Sequence, residues 1–271
     1  MINNYLLVDY GNSYIKAAIY DGNQEKIIET RQVPSGQSVR SLFKLFRYIG
    51  DRHPDKIIVS ASAGSNVVEP FYNEAKSLLN ASIHIIGKPD FKDVLDLSNI
   101  AKDVFVGPDI YSCTYKATKQ FKKPALIVSL GTAYFAVVVK DKKIESCYLL
   151  PSISKGMDQI AKLTTIPTDY IPEMYDKDRG RNTISSFAAG ANLCIEGFID
   201  NVVKTNNIDP KNVIITGGDC FRYKNISKKY TYVNVFTVLF HIFYYKSLKY
   251  QKTYRPTHLC CMYNFDTFET P

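Results

Sequence analysis

The sequence lacks the cysteine and histidine spacings that metal-binding modules require. Its six cysteines include no Cys-x-x-Cys pair, and none stands at a zinc-ligand spacing from a histidine. Cys113 and Cys194 fall in predicted helices, where a small buried thiol is the usual role, so we expect both to be buried and free. Free thiols of this kind fit a reducing, cytoplasmic environment.

Long apolar segments are also missing. The most apolar late run, Val235–Tyr245, is too short and too interrupted by Thr237 and His241 to span a bilayer. The first residues, Met1–Asn4, contain no basic region, so a signal peptide is not predicted. We therefore expect a cytoplasmic protein with no membrane partner.

Tryptophan is absent, and a continuous stripe of positive charge is absent as well. The net charge of +8 comes from 34 Lys and Arg against 26 Asp and Glu, but the lysines are scattered or paired along the chain. A basic excess without a stripe fits compositional bias better than a nucleic-acid partner, which we do not predict. The length of 271 residues suits two modest domains, each with its own core.

What the sequence does contain is a strand–turn–strand segment, Leu6–Lys16, with a carboxylate at its turn. An apolar run brings Asp9 to the end of a strand, and Gly11 then turns the chain into a second apolar strand. Backbone N–H groups, the Asn12 amide and the Ser13 hydroxyl would surround the carboxylate, and such groups hold nucleotide phosphates and hydrated Mg²⁺. Considered alone, the segment is explained better as an ordinary Asx-type hairpin turn.

A second copy of the pattern, Leu126–Phe135, follows at a constant offset of 120 residues. The matching pairs are Val8/Val128, Gly11/Gly131, Tyr14/Tyr134 and Asp21/Asp141. Ser129 takes the place of Asp9, and a third glycine turn, Ile215–Asp219, follows another apolar strand. Paired phosphate hairpins with a late Thr-Gly-Gly turn resemble the actin, Hsp70 and sugar-kinase superfamily.

This resemblance implies an α/β fold of two related, ribonuclease H-like lobes with a nucleotide cleft between them. We assign residues 1–122 to an N-terminal lobe with the first hairpin and a substrate motif. Residues 123–271 form a C-terminal lobe with the second hairpin and an adenosine turn. The predicted helices include Glu69–Leu79, Pro108 to about Gln120, Lys155–Leu163, and one that begins at Thr183.

The segment Gly107-Pro108-Asp109 is a further candidate site. Gly107 permits close approach, Pro108 suits a first helical turn, and Asp109 lies where the helix dipole favours an anion. A plain helix start with a dipole-matched acid explains these residues equally well, and the residues alone leave both interpretations open.

Taken in order, the motifs resemble those of the type III pantothenate kinases. The similar segments are Asp9–Lys16 for the family's DxGNTxxK phosphate motif, Gly107–Ile110 for its GxDR substrate motif, Leu126–Ala133 for its VDxGTA stretch, Thr183–Gly190 for its T-A-I-x-x-G helix, and Thr216–Asp219 for its TGGD turn.

The resemblance implies ATP-dependent phosphorylation of pantothenate, the first committed step towards coenzyme A, with ATP and Mg²⁺ as cofactors and a homodimeric assembly. Asp109 is the implied catalytic residue, which would accept the proton of the pantothenate hydroxyl. The implied cofactor-binding residues are Asp9, Tyr10, Gly11, Asn12, Ser13, Tyr14, Ile15, Lys16, Thr132, Gly217 and Gly218. The implied substrate-binding residues are Gly107, Pro108, Asp109, Ile110 and Thr183.

Several positions depart from the family pattern, among them Ile110 and Ser129. Ile110 replaces an arginine, a charged partner worth about 1.5–3 kcal/mol. Ser129 replaces the acidic residue that holds a monovalent cation, K⁺ or NH₄⁺, and a neutral hydroxyl does not supply that charge. Two other hypotheses therefore remain: a degenerate, non-catalytic relative that binds a nucleotide or a partner protein, and a kinase for another small alcohol. The tail, residues 251–271, carries no functional signal.

Overall fold

The computed structural model describes residues 4–24, 26–35, 54–62, 65–78, 81–87, 90–92, 94–100, 106–165 and 179–233. The tail at 251–271 lies outside these residues. Among the described residues, no helix combines the length and the apolar character needed to cross a membrane.

The first sheet has five strands in the order β3-β2-β1-β4-β5. They are β1 (Asn4–Tyr10), β2 (Tyr14–Asp21), β3 (Lys26–Pro34), β4 (Lys56–Ala61) and β5 (Ser82–Ile86), with helix α1 (Ser65–Leu78) between β4 and β5 and helix α2 (Pro108–Gln120) after the sheet. The first three strands form an antiparallel meander, and β4 and β5 add to it in parallel.

The second sheet also has five strands, in the order β10-β9-β6-β7-β8. They are β6 (Ala125–Leu130), β7 (Ala133–Lys140), β8 (Lys143–Pro151), β9 (Val213–Thr216) and β10 (Thr231–Tyr232). Helices α3 (Ile153–Leu163) and α4 (Thr183–Thr205) connect β8 to β9, and helix α5 (Lys224–Lys229) precedes β10. Two short 3₁₀ helices, Pro210–Asn212 and Gly218–Arg222, flank β9.

The two sheets have the same topology. Strand β6 takes the place of β1, with an antiparallel neighbour on one side (β7 for β2) and a parallel neighbour on the other (β9 for β4). Each lobe therefore brings the carboxyl ends of two parallel strands to one edge, where ligands bind in α/β sheets. The predicted two-lobed fold is confirmed.

Helix α2 packs between the sheets and joins the lobes. Its buried Ile110 and Tyr111 belong to one core cluster with Leu7 and Ile58 of the first sheet and Ile127 of the second. The outer face of each sheet is covered as well, by α1 on the first and by α4 on the second. Because both faces are covered, β1 and β6 are nearly continuous apolar runs and do not alternate with polar residues.

Two local predictions were wrong. Helix α1 begins at Ser65, four residues before the predicted Glu69, because Val68 extends its buried stripe towards the N-terminus. Cys113 is buried as expected, but Cys194 is exposed. On α4 the buried positions are those that pack on the second sheet, such as Ile195, and Cys194 lies on the opposite, outer side.

Candidate functional site

Asp9 lies at the carboxyl end of β1, at the point where the first hairpin turns. It is directly opposite Lys16 of β2 in the antiparallel register, and the Lys16 ammonium is 3.7 Å from Asp9 Oδ2. The residue is only 7% exposed. Burial, and to a smaller extent repulsion from Asp109, raises the pKa of the Asp9 carboxyl to about 7. The positive charge of Lys16 opposes this shift.

Asp109 supplies the second carboxylate, which is half-buried in the first turn of α2. Its Oδ1 accepts a hydrogen bond from Ser62 Oγ at 3.1 Å. Burial raises the pKa of this carboxyl, while the hydrogen bond from Ser62, the backbone N–H of Ile110 and the charge of Lys16 lower it. Asp9, Lys16 and Asp109 thus form one charged group, with two carboxylates and one ammonium.

The tips of the two hairpins meet beside this group. Ser13 Oγ and Thr132 Oγ1 are 2.6 Å apart and share a hydrogen bond between the lobes. In the first hairpin, the N–H of Gly11 donates to the carbonyl of Tyr14 at 3.0 Å. The second hairpin is closed by a similar bond one residue shorter, from the N–H of Gly131 to the carbonyl of Ala133 at 3.2 Å. The two hydroxyls and the turn backbones supply neutral polar groups of the kind that hold phosphate oxygens.

The third turn follows β9 and contacts the second hairpin. Gly217 has φ +100°, in the region that only glycine adopts freely, and its Cα lies directly against the backbone of Leu130. Leu130 ends β6 immediately before Gly131, so the turn fixes the base of the hairpin. Gly218 stands in open surroundings.

The sequence relates this chain to a known family. The sequence model of the type III pantothenate kinases matches residues 5–205 of this chain, which is most of its length. The chain belongs to the type III pantothenate kinase family. The type III pantothenate kinase of Mycoplasma mobile is 28% identical over 181 residues, which covers 62% of this chain and 71% of that protein. The one of Thermosipho africanus is 24% identical over 238 residues, covering 83% and 90%.

A solved structure gives the same fold. A putative 2-dehydro-3-deoxygalactonokinase from Sinorhizobium meliloti superposes with a TM-score of 0.59, at 13% identity, over 94% of this chain and all of that one (100%). At this identity the likeness establishes the fold alone, which is that of the actin, Hsp70 and sugar-kinase superfamily.

The last residue of the family's TGGD turn has a role that the sequence did not reveal. Asp219 accepts hydrogen bonds from Tyr134 of β7 at 2.9 Å and from Ser154 at the start of α3, and it pairs with Arg222 at 3.2 Å. The hydroxyls of Tyr134 and Tyr223 are hydrogen-bonded to each other, 3.0 Å apart. Asp219 therefore ties the glycine turn, the second hairpin and α3 together. The motif itself was the only signal, because the partners are 65 and 85 residues away in sequence.

Other predicted residues do not turn their side chains to the charged group. The side chains of Tyr10, Ile15 and Ile110 are buried in the cores, so only their backbone groups remain for a ligand. Tyr14 is 47% exposed at the hairpin surface. Thr183 is exposed as the first residue of α4.

Proposed function

We propose that this protein transfers the γ-phosphoryl group of ATP to pantothenate, giving 4′-phosphopantothenate in the first step of coenzyme A biosynthesis. The observation that carries the proposal is the Asp9–Lys16–Asp109 group, with its buried Asp9 at the first of two matching hairpins, in a member of the type III pantothenate kinase family. Phosphoryl transfer requires positioning and charge neutralisation more than covalent chemistry from the protein.

The hairpin tips are the proposed phosphate site. Ser13 and Thr132 would donate to phosphate oxygens together with the turn backbones at Gly11 and Asn12, and their hydroxyls, 2.6 Å apart, support a shared ligand. Gly217 and Gly218 would let the adenosine approach the backbone closely. The division of the chain at residues 122 and 123 is supported by the end of α2 at Gln120 and the start of β6 at Ala125.

Asp9 fits a hydrated Mg²⁺ held between it and the phosphates. It is a buried carboxylate with the Lys16 ammonium 3.7 Å away, and its raised pKa means that an added cation would stabilise the ionised form. Bound Mg²⁺ would neutralise charge that develops on the phosphate oxygens. Lys16 would contribute positive charge from the opposite strand.

Asp109 is the proposed general base. Its carboxylate would accept the proton of the pantothenate hydroxyl as that oxygen attacks the γ-phosphorus. Gly107 and Pro108 set the carboxylate at the helix start, where a Cβ on Gly107 would collide with the Asp109 side chain. The substrate would therefore approach over Gly107, from the side of the cleft.

The residues present do not fit the monovalent cation, K⁺ or NH₄⁺, that the resemblance implied. Ser129 of β6 lies beside Thr216 of β9 in the parallel register, and both offer neutral hydroxyl oxygens. Among the described residues, no cluster of three or more His, Cys, Asp or Glu side chains suits a metal ion. No step is assigned to such a cation, and we propose turnover that does not depend on K⁺.

The assembly we propose is a homodimer in the cytoplasm. Leu193 is 67% exposed on the outer side of α4, next to the exposed Cys194, and Gly190 and Gly197 leave open space on either side. A face of this kind suits close helix–helix packing, which size-exclusion chromatography with light scattering would test. The described cysteines are all free, in keeping with a reducing compartment.

Release of ADP from MgATP tests the proposed reaction, with pantothenate and other small alcohols as acceptors and with or without K⁺. Asp109→Asn should lower kcat by about 10²–10⁴-fold, because the amide keeps the shape of the side chain but cannot accept a proton. The melting temperature should not fall, because the variant removes a half-buried charge that repels Asp9. Turnover only of another alcohol would assign a different substrate, and no turnover of any alcohol would favour the non-catalytic relative.

A further inference from the structure

Ser62 stands where the first sheet meets the start of α2. Its backbone N–H donates to the carbonyl of Tyr10 at 2.9 Å, which continues the parallel pairing of β4 with β1 beyond the last strand residue. The residue is therefore fixed in position by the same strand end that carries Asp9. Its hydroxyl is then free to reach another segment of the chain.

The hydroxyl reaches Asp109, 47 residues further along the sequence. Ser62 Oγ donates to Asp109 Oδ1 at 3.1 Å. A Cβ at Gly107 would lie within 3.4 Å of Ser62 Oγ and would overlap the Asp109 carboxylate, so the absent side chain leaves the space in which the two residues meet. Strand end, glycine and helix start are thus arranged around one hydrogen bond.

We propose that Ser62 is a positioning residue for phosphoryl transfer, which fixes one carboxylate oxygen of Asp109 so that the other faces the acceptor hydroxyl. The inference rests on the proposed function, in which Asp109 is the base. A carboxylate held by one oxygen loses rotational freedom about its Cβ–Cγ bond, and well-oriented reacting groups lower the barrier substantially.

The hydrogen bond has a second consequence, because it favours the ionised form that a base requires. Burial raises the pKa of Asp109, and the bond from Ser62 is the first of the interactions that lower it. The other titratable groups close to Asp109 are Lys16 on β2, Asp9 on β1 and Cys113 on α2, and the charge of Asp109 raises the pKa values of Asp9 and Cys113. Lys16 favours the ionised form, whereas the like charge of Asp9 opposes it.

Three variants test the proposal in the full chain. Ser62→Ala should lower kcat about 10- to 100-fold with the KM values for ATP and pantothenate unchanged, because a lost hydrogen bond to a charged group costs this much. Ser62→Thr keeps the hydroxyl and should retain most of the wild-type kcat. Ser77→Ala is the matched control, since Ser77 is an exposed serine whose hydroxyl bonds within α1, to the carbonyl of Glu74. Wild-type kcat in Ser62→Ala, or equal losses of kcat and melting temperature in the alanine and threonine variants, would overturn the proposal.

A measurement without turnover separates this proposal from the proposed reaction. The ¹³C-carboxyl resonance of Asp109, identified by its loss in Asp109→Asn, should titrate at higher pH in Ser62→Ala and near the wild-type value in Ser62→Thr. If the wild-type protein phosphorylates no alcohol, the reaction is refuted, and this titration still reports whether Ser62 holds Asp109. An unmoved Asp109 resonance in Ser62→Ala would overturn the positioning role whatever the reaction is.

Discussion

The glycine turn after β9 tests how the site is built, because its two glycines have different surroundings. Gly217 has φ +100°, and a Cβ there would overlap the backbone of Leu130 at the end of β6. Gly218 has no atom within 4 Å of the same position. Alanine at the first position should therefore be costly, and alanine at the second should be tolerated.

The expected cost of Gly217→Ala has two parts. A non-glycine residue held at this φ costs about 1–3 kcal/mol. Displacing the strand backbone that the new methyl group meets costs about 1–3 kcal/mol more, as in other overpacked sites. The free energy of unfolding should thus fall by about 2–6 kcal/mol. Gly218→Ala should stay within about 0.5 kcal/mol of wild type.

Urea unfolding followed by circular dichroism measures both costs, and suits a chain that has no tryptophan. Calorimetry should also show weaker ATP binding by Gly217→Ala, because a shift of Leu130 displaces Gly131 and Thr132 in the second hairpin. Equal costs for the two variants would show that the close contact at Leu130 does not limit this position. A destabilised Gly217→Ala protein with wild-type ATP affinity would separate the turn from the nucleotide site.

Two further predictions concern the buried residues of the site. Ile110→Arg recreates the family's arginine but should lower the melting temperature by about 6–20 °C, because Ile110 is 5% exposed and an unpaired buried charge costs about 3–5 kcal/mol. Ile110→Leu is the control, and an unchanged melting temperature with faster turnover would contradict the argument. With a chelator and no nucleotide, the free energy of unfolding should fall as pH rises from about 4 to about 7. The reason is that the pKa of Asp9 is about 7 in the folded state and lower in the unfolded chain, so the folded state loses its advantage as Asp9 ionises. Asp9→Asn should flatten that slope, and equal slopes would refute the assignment.

The sequence predicted much of the fold because its informative features are local. The hairpin at Leu6–Lys16 and its copy at Leu126–Phe135 contain their own turn chemistry, and their offset of 120 residues predicted two related lobes. The matching strand orders of the two sheets bear this out. Helix α2 was also predictable, since proline and an acid mark its first turn.

The contacts between distant segments were not predictable in the same way. Ser62 bonds to Asp109 across 47 residues, and Asp219 bonds to Tyr134 across 85, without any spacing that marks the pairs. The side of α4 on which Cys194 would lie depended on where the second sheet packs. The burial of Ile110 depended on α2 being enclosed by both sheets, which follows from the assembled lobes and not from the helix alone.

The departure at Ile110 and the retained acids Asp9 and Asp109 differ in their surroundings, and this bears on whether the site is active. Ile110 is absorbed into the core, so its apolar side chain stabilises the fold. Asp9 and Asp109 do the opposite, because burial and mutual repulsion make both carboxylates costly to ionise. A scaffold kept only for its shape would gain stability from neutral residues at both positions. Carboxylates that are costly to ionise and are nevertheless present together in a cleft are typical of active sites. The retained acids therefore favour a working kinase over a degenerate relative.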